Sequence, residues 1–196
     1  MLSTEVKESF LSLIRLGIGH SACSQATSVD WNSIKALADQ HGLSAVVLDG
    51  IDKLNTNLTN GTKLTDTLPL EMKLEWIGEV LQEYEQRYEQ YKRAIADLAG
   101  WHNANGFKMM VLKGYACGLN WPKPEHRPCG DIDIWQFGEY KEADKTVASE
   151  KSIKVDRSHH HHTVFDWGEF TVENHYDFNN VHHHKSSAEL EKTLRN

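Results

Sequence analysis

Between Leu70 and Asn105 the residues Ile77, Leu81, Tyr84, Tyr88, Tyr91, Ile95 and Leu98 recur at alternating intervals of four and three. That spacing lines one face of an α-helix, while Glu83, Glu85, Gln86 and Glu89 fill the other faces. A stripe of this kind either pairs with a second chain as a coiled coil or packs on helices of its own chain, and the second reading is preferred. A run this long commits the chain to a helical scaffold, and whatever chemistry the protein performs must come from elsewhere. The residues before it read the same way. Glu5 to Leu16 carries Val6, Phe10, Leu13 and Ile14 on one face. Ser28-Val-Asp30 offers an N-cap to the helix WNSIKALADQHG, with Gly42 at its stop, and a further short helix is expected over SAVVLDGIDKL. NTNLTNGTKLTDT is polar and reads as a loop.

After Gly106 the texture changes. FKMMVLKG reads as a short buried strand, YACGLNW as one or two helical turns, and PKPEHRPCG as a Pro-rich loop. DIDIWQF is a second strand and EYKEADKTVASEK a polar helix. HTVFDW and EFTVENHYDF are two more strands, joined by a tight hairpin at Trp167-Gly168. A last helix is expected over SSAELEKTLRN, capped by Ser186 or Ser187. The chain therefore predicts an α+β protein. A helical N-terminal region over 1–105 precedes a small mixed sheet with flanking helices over 106–196.

The net charge of −7 argues against a broad phosphate-binding surface, which needs clustered Lys and Arg. It leaves room for a nucleotide held in one local pocket. Cys23, Cys117 and Cys129 form no CxxC pair, which suits a reducing cytoplasm better than a disulfide framework. No window approaches the roughly 20 apolar residues of a membrane span, and the N-terminus is a poor signal peptide. A cytoplasmic protein without a membrane partner is the expectation.

Chemistry concentrates in RPCGDIDIW, Arg127 to Trp135. Residues two apart on a strand share a face, so Asp131 and Asp133 project together while Ile132 and Ile134 turn to the core. Two carboxylates this close repel unless a cation lies between them. Magnesium suits the position, since it takes oxygen ligands and completes its shell with water and substrate phosphate. In FTVENHYDF, Glu173 and His175 share a face opposite Val172. If this strand lies beside Asp131–Trp135, Glu173 supplies a third acid. His175 near it reads either as an accessory group that orients an acceptor or takes its proton, or as a histidine hydrogen-bonded within the sheet. Upstream, LKG ends a strand and opens a helix, where backbone N–H groups at Gly114 are free to hold phosphate. Lys113 and Arg127 are the cations at hand to neutralise it, the alternatives being a solvated lysine and a loop arginine paired with an acid. The histidine runs, His159 to His162 and His182 to His184, read as a polar strand end and a loop, with a histidine-rich metal carrier as the alternative.

LKG, a Pro-containing loop, R-P-x-G-D-I-D-I and V-E-N-H together resemble a nucleotidyltransferase family of bacteria. That family belongs to the superfamily that includes DNA polymerase beta and the aminoglycoside nucleotidyltransferases. The lead-in D-W-x-x-I-x-x-L-A-x-x-H-G, Asp30 to Gly42, resembles the family's N-terminal region. The resemblance implies a nucleotidyltransferase fold, with the first acid pair on Asp131 and Asp133, the third acid on Glu173, and the glycine of the phosphate turn on Gly114. It implies an NTP substrate, two Mg²⁺ ions (Mn²⁺ as a substitute), and transfer of a nucleoside monophosphate to a hydroxyl acceptor. A small molecule or protein fits the acidic chain better than nucleic acid does as that acceptor. Tyr115 follows Gly114 where superfamily members usually carry serine, and relatives imply a further C-terminal segment. Both departures keep open a catalytically inactive nucleotide- or protein-binding module, or a site completed by a partner chain.

Overall fold

A computed structural model describes residues 3–21, 29–57, 68–179 and 185–195, with the side chains of 55–57 excepted. Cys23, Ser28, most of the Asn- and Thr-rich stretch and His182 to His184 lie outside the described residues. Contacts divide the chain into two compact units, one of residues 1–88 and 120–128, the other of 89–119 and 129–196.

The first unit is helical. Helix α1 (Thr4–Gly17) starts at Ser3, whose hydroxyl accepts from the Val6 N–H at 3.3 Å. Helix α2 (Trp31–Gln40) starts at Asp30, which accepts from the Ser33 N–H at 3.1 Å and the Ser33 hydroxyl at 2.7 Å. Helices α3 (Ser44–Asn57) and α4 (Leu70–Val80) complete the set. Phe10, Leu13, Ile34, Ala38, Val47, Ile51, Trp76 and Val80 form one core. Helices α1 and α3 cross closely because Gly17 and Gly50 carry no side chain. A Cβ on Gly17 would overlap the Val46 carbonyl, and one on Gly50 the Leu13 carbonyl. Trp76 is fully buried, and its indole N–H donates to the Ser44 carbonyl at 3.1 Å.

The helical stripe does not run unbroken. A π-helical turn (Leu81–Gln86) separates α4 from α5 (Arg87–Ala104). A π turn holds more residues than the 3.6 that a regular stripe assumes, so the four-and-three spacing loses its register there. Leu81, expected on the apolar face, is 46% exposed. The stripe otherwise packs within its own chain. Ile77 and Tyr84 join the helical core, whereas Tyr91, Ile95 and Leu98 join the core under the sheet. The sequence texture changes at Gly106, but compactness assigns α5 from Glu89 onward to the sheet unit and returns 120–128 to the helical one.

The second unit carries a four-stranded mixed sheet of order β1-β2-β4-β3. Strand β1 (Met110–Val111) pairs antiparallel with β2 (Ile132–Trp135), β2 pairs parallel with β4 (Phe170–His175), and β3 (His162–Trp167) pairs antiparallel with β4. Strand β1 is half-buried rather than buried, as its edge position explains. The β3–β4 hairpin closes through Gly168 and Glu169, with Gly168 at φ +62°. One face of the sheet presents Ile132, Ile134, Phe165, Trp167, Phe170 and Val172 to Tyr91, Ile95 and Leu98 of α5 and to Val147 of α7 (Tyr140–Glu150). Helix α6 (Lys113–Gly118) follows β1, and α8 (Lys185–Arg195) is the last element. Ser186 and Ser187 lie inside α8 instead of capping it, because the helix has already begun at Lys185. Among the described residues no helix is long and apolar enough to cross a membrane.

Candidate active site

Strand parity decides which side chains the sheet offers to chemistry. The parallel register pairs Asp133 with Glu173 and Trp135 with His175. These residues share the face opposite the apolar one. Asp131, just before β2, falls on the same side, and one ligand oxygen from each of Asp131, Asp133 and Glu173 lies within 4.8 Å of the others. Three oxygen donors at that spacing fit a hard divalent cation.

Each acid is held differently. Asp131 is exposed at its side chain, but its backbone carbonyl accepts a 2.5 Å hydrogen bond from Tyr91 Oη. The Tyr91 ring packs edge-on against Phe170, 5.2 Å between centroids, so α5 fixes the approach to β2. Asp133 is 4% exposed. Its Oδ1 accepts from Lys113 Nζ at 2.7 Å and lies 2.9 Å from His175 Nε2. Burial pushes the Asp133 carboxyl up, but the hydrogen bonds and charges of His175 and Lys113 outweigh it and hold it below the usual carboxylate range. The Glu173 side chain is 23% exposed and sits between two imidazoles, with Oε2 3.5 Å from His175 Nε2 and Oε1 3.6 Å from His162 Nε2.

The residues expected to hold phosphate are placed as follows. Leu112 extends the β1–β2 pairing by donating to the Asp133 carbonyl at 2.8 Å. Lys113 then takes φ +35°, a costly conformation for a residue with a side chain. That turn starts α6 and directs the Lys113 ammonium onto Asp133. Gly114 is the second residue of α6. Arg127 belongs to the other compact unit, where its Nη1 donates to the Pro128 carbonyl at 3.3 Å. Its grouping there follows from the Pro-rich loop, which belongs with the helices and not with the sheet.

Beneath the acids, on the core face, runs a buried polar network. Asn174 Nδ2 donates to Gln136 Oε1 at 2.7 Å and to Asp144 Oδ1 at 3.0 Å. Thr163 donates to Asp144 Oδ1 at 3.1 Å, and Gln136 Nε2 lies 3.0 Å from His102 Nδ1. All five residues are buried. They tie β2, β3 and β4 to α5 and α7 directly behind Asp133 and Glu173. Burial pushes the Asp144 carboxyl up against the hydrogen bonds from Asn174 and Thr163, and burial drives His102 down to about 4. The signal for this network lies in V-E-N-H: an asparagine shares the strand parity of Val172, which faces the core. His162 is likewise inconspicuous in the sequence, where it is one member of a run. Its position opposite His175 in the β3–β4 register sets it apart. His159 to His161 precede the strand, with the His159 ring stacked on His162 at 4.8 Å. Burial lowers the His162 imidazole, partly opposed by Glu173.

The sheet and its flanking helices define an α+β protein of nucleotidyltransferase-like fold. The sequence of residues 27–196 matches the family described as "Uncharacterised nucleotidyltransferase", and the chain belongs to that family. No curated protein and no solved structure matches it.

Proposed function

We propose that the protein transfers a nucleoside monophosphate from an NTP to a hydroxyl acceptor, using divalent magnesium held by Asp131, Asp133 and Glu173. The observation that carries this reading is the convergence of those three carboxylates on one sheet face, from β2 and the residue that leads into it and from β4, which are not neighbours in the chain. When bound, the divalent ions would neutralise phosphate charge and lower the pKa of the acceptor hydroxyl. In the transfer, the acceptor oxygen forms a bond to the α-phosphorus, the bond to the pyrophosphate oxygen breaks, and the acceptor proton passes to a base.

The chain's own groups have separable tasks. Hydrogen bonds with His175 and Lys113 favour the charged form of Asp133 and hold it in one orientation. Tyr91 fixes the backbone of the exposed Asp131. The Lys113 side chain is 60% exposed, so its ammonium can exchange Asp133 for a phosphate oxygen. The turn at Lys113-Gly114 offers backbone N–H groups at the same edge of the sheet. His175 is the accessory group that orients the acceptor hydroxyl, or takes its proton once Nε2 releases Asp133.

The test is transfer of α-phosphate label from each NTP to a panel of hydroxyl acceptors, with and without Mg²⁺. Asp131→Ala should abolish Mg²⁺-dependent turnover, and unchanged turnover would remove the assignment. One observation favours a second reading, a module that binds nucleotide without transfer. Lys113 already compensates Asp133 at 2.7 Å, and Tyr115 stands where the superfamily usually carries serine. Saturable nucleotide binding with no labelled product from any acceptor would select it.

A further inference from the structure

We propose that His162, Glu173 and His175 form a second cation site, selective for a zinc-class divalent ion, and that it shares Glu173 with the acid cluster. One ligand atom from each of the three lies within 4.8 Å of the others. The two histidines are directly opposed in the β3–β4 register, and Glu173 lies two residues before His175 on the same strand face. All three therefore stand on paired strands rather than on a loop.

The spacing suits a tetrahedral ion. Metal–nitrogen and metal–oxygen bonds of about 2.0–2.2 Å at tetrahedral angles place neighbouring ligand atoms about 3.4 Å apart. The separations here are 3.6 Å from His162 Nε2 to Glu173 Oε1 and 3.5 Å from His175 Nε2 to Glu173 Oε2. The two separations are to different carboxylate oxygens, so one Glu173 oxygen must swing toward the second imidazole to serve both, within the 4.8 Å that the three ligand atoms span. The His159 ring stacks on His162 and restrains its orientation. Side-chain exposures of 19%, 23% and 13% leave the group ordered but reachable. Two imidazoles and one carboxylate favour zinc, cobalt, nickel or copper over magnesium, whereas the three carboxylates favour magnesium.

Glu173 belongs to both sets, and one carboxylate cannot serve both at full strength. Zinc at the histidine site would draw Glu173 from Asp131 and Asp133 and displace the His175 Nε2 hydrogen bond to Asp133. The site would then act as a zinc-sensitive brake on magnesium-dependent transfer. This second half rests on the proposed function, while the binding itself does not.

The background for the test is the full chain with His160, His161, His182, His183 and His184 changed to Asn, which removes adventitious imidazole binding. Calorimetry with Zn²⁺ and the visible spectrum of added Co²⁺ report the site. One equivalent of Zn²⁺ is expected, with the intense Co²⁺ bands of low coordination number. His162→Gln, close in volume, should weaken Zn²⁺ by at least about 100-fold, since loss of an outer-shell partner alone costs roughly 10–100-fold. Its thermal melt in metal-free buffer should match the background. Zn²⁺ should also inhibit Mg²⁺-dependent transfer in the background and spare it in His162→Gln. Equal Zn²⁺ affinity in the two proteins, or no Zn²⁺ binding by the background, would overturn the site. Zn²⁺ binding in a protein that transfers no nucleotide would sink the transferase reading and leave the metal site standing.

Discussion

The two compact units each contain a cluster of one aspartate, one histidine, one lysine and one glutamate, and the two clusters do different things. In the helical unit Asp49 accepts from Lys123 Nζ at 2.5 Å and lies 2.6 Å from His126 Nδ1, while His126 Nε2 lies 3.1 Å from Glu85. In the sheet unit Asp133 accepts from Lys113, contacts His175 and has Glu173 beside that histidine. What differs is access and surplus. His126 commits both ring nitrogens to carboxylates and is 4% exposed, so it acts as a clasp holding the Pro-rich loop to α3 and the π turn. The sheet cluster crowds several partners onto the single atom His175 Nε2, adds a third acid in Asp131, and opens to solvent at Glu173. Unsatisfied carboxylate capacity at a reachable surface is what a cation can use. Residue composition does not separate a clasp from a site; backbone geometry does.

The largest effects should break the comparison cleanly. Asp133→Asn is expected to lower Mg²⁺-dependent transfer by about 10²- to 10³-fold, well beyond what loss of the Lys113 and His175 contacts costs in stability. Asp49→Asn is expected to do the reverse. It leaves His126 and Lys123 without their shared carboxylate and should cost about 3 kcal/mol of stability, with activity of the folded protein retained. Parallel urea titrations and label-transfer assays on both variants check this. Equal loss of activity in Asp49→Asn would mean that the clasp is part of the chemistry.

The pH dependence should differ in sign between the units. Burial pushes His126 down, but Asp49 and Glu85 outweigh it and raise it. A raised folded-state pKa contributes stability that is full below the unfolded value of about 6.5 and is lost as pH rises through the folded value. His102 is the opposite case, lowered to about 4 by burial. Its contribution is present above about pH 6.5 and is lost as pH falls toward about 4. Melting temperatures across this range should show a steeper alkaline decline in the wild type than in His126→Gln. They should show a steeper acid decline in the wild type than in His102→Asn. Superimposable profiles would refute the clasp.

The smallest predicted effect tests positioning. Tyr91→Phe removes one hydrogen bond, to the Asp131 carbonyl, and should cost about 1 kcal/mol of stability. It should also raise the Mg²⁺ concentration for half-maximal transfer a few-fold while leaving the nucleotide KM nearly unchanged. A purely structural tyrosine would shift the melt and not the magnesium requirement.

Strand parity makes part of the site legible in the residue order alone. Ile132 and Ile134 are fully buried and Asp133 faces away from them, as a period of two requires. The same rule puts Glu173 with His175 and opposite Val172. The rule is silent on neighbours: β4 could pair with β1, or leave β2 at an edge, without changing a residue of either strand. His162 is hidden among identical neighbours. Asn174 and Gln136 are hidden because a polar residue at a core-facing position is stable only when partners from α5, α7 and β3 arrive. The π turn leaves no mark in the sequence either, since the four-and-three stripe continues through it.

The order of residues thus determined which side chains share a face, which stretches coil, and that two acids one residue apart project to the same side. These follow from backbone periods of 3.6 and 2, which are local. Only the tertiary structure decided that β4 lies parallel to β2 with Glu173 level with Asp133, that His162 meets His175, and that His126 is a clasp. The reason is that pairing between distant segments is set by how the whole apolar face of the sheet fills its core, a sum over residues from several strands and helices.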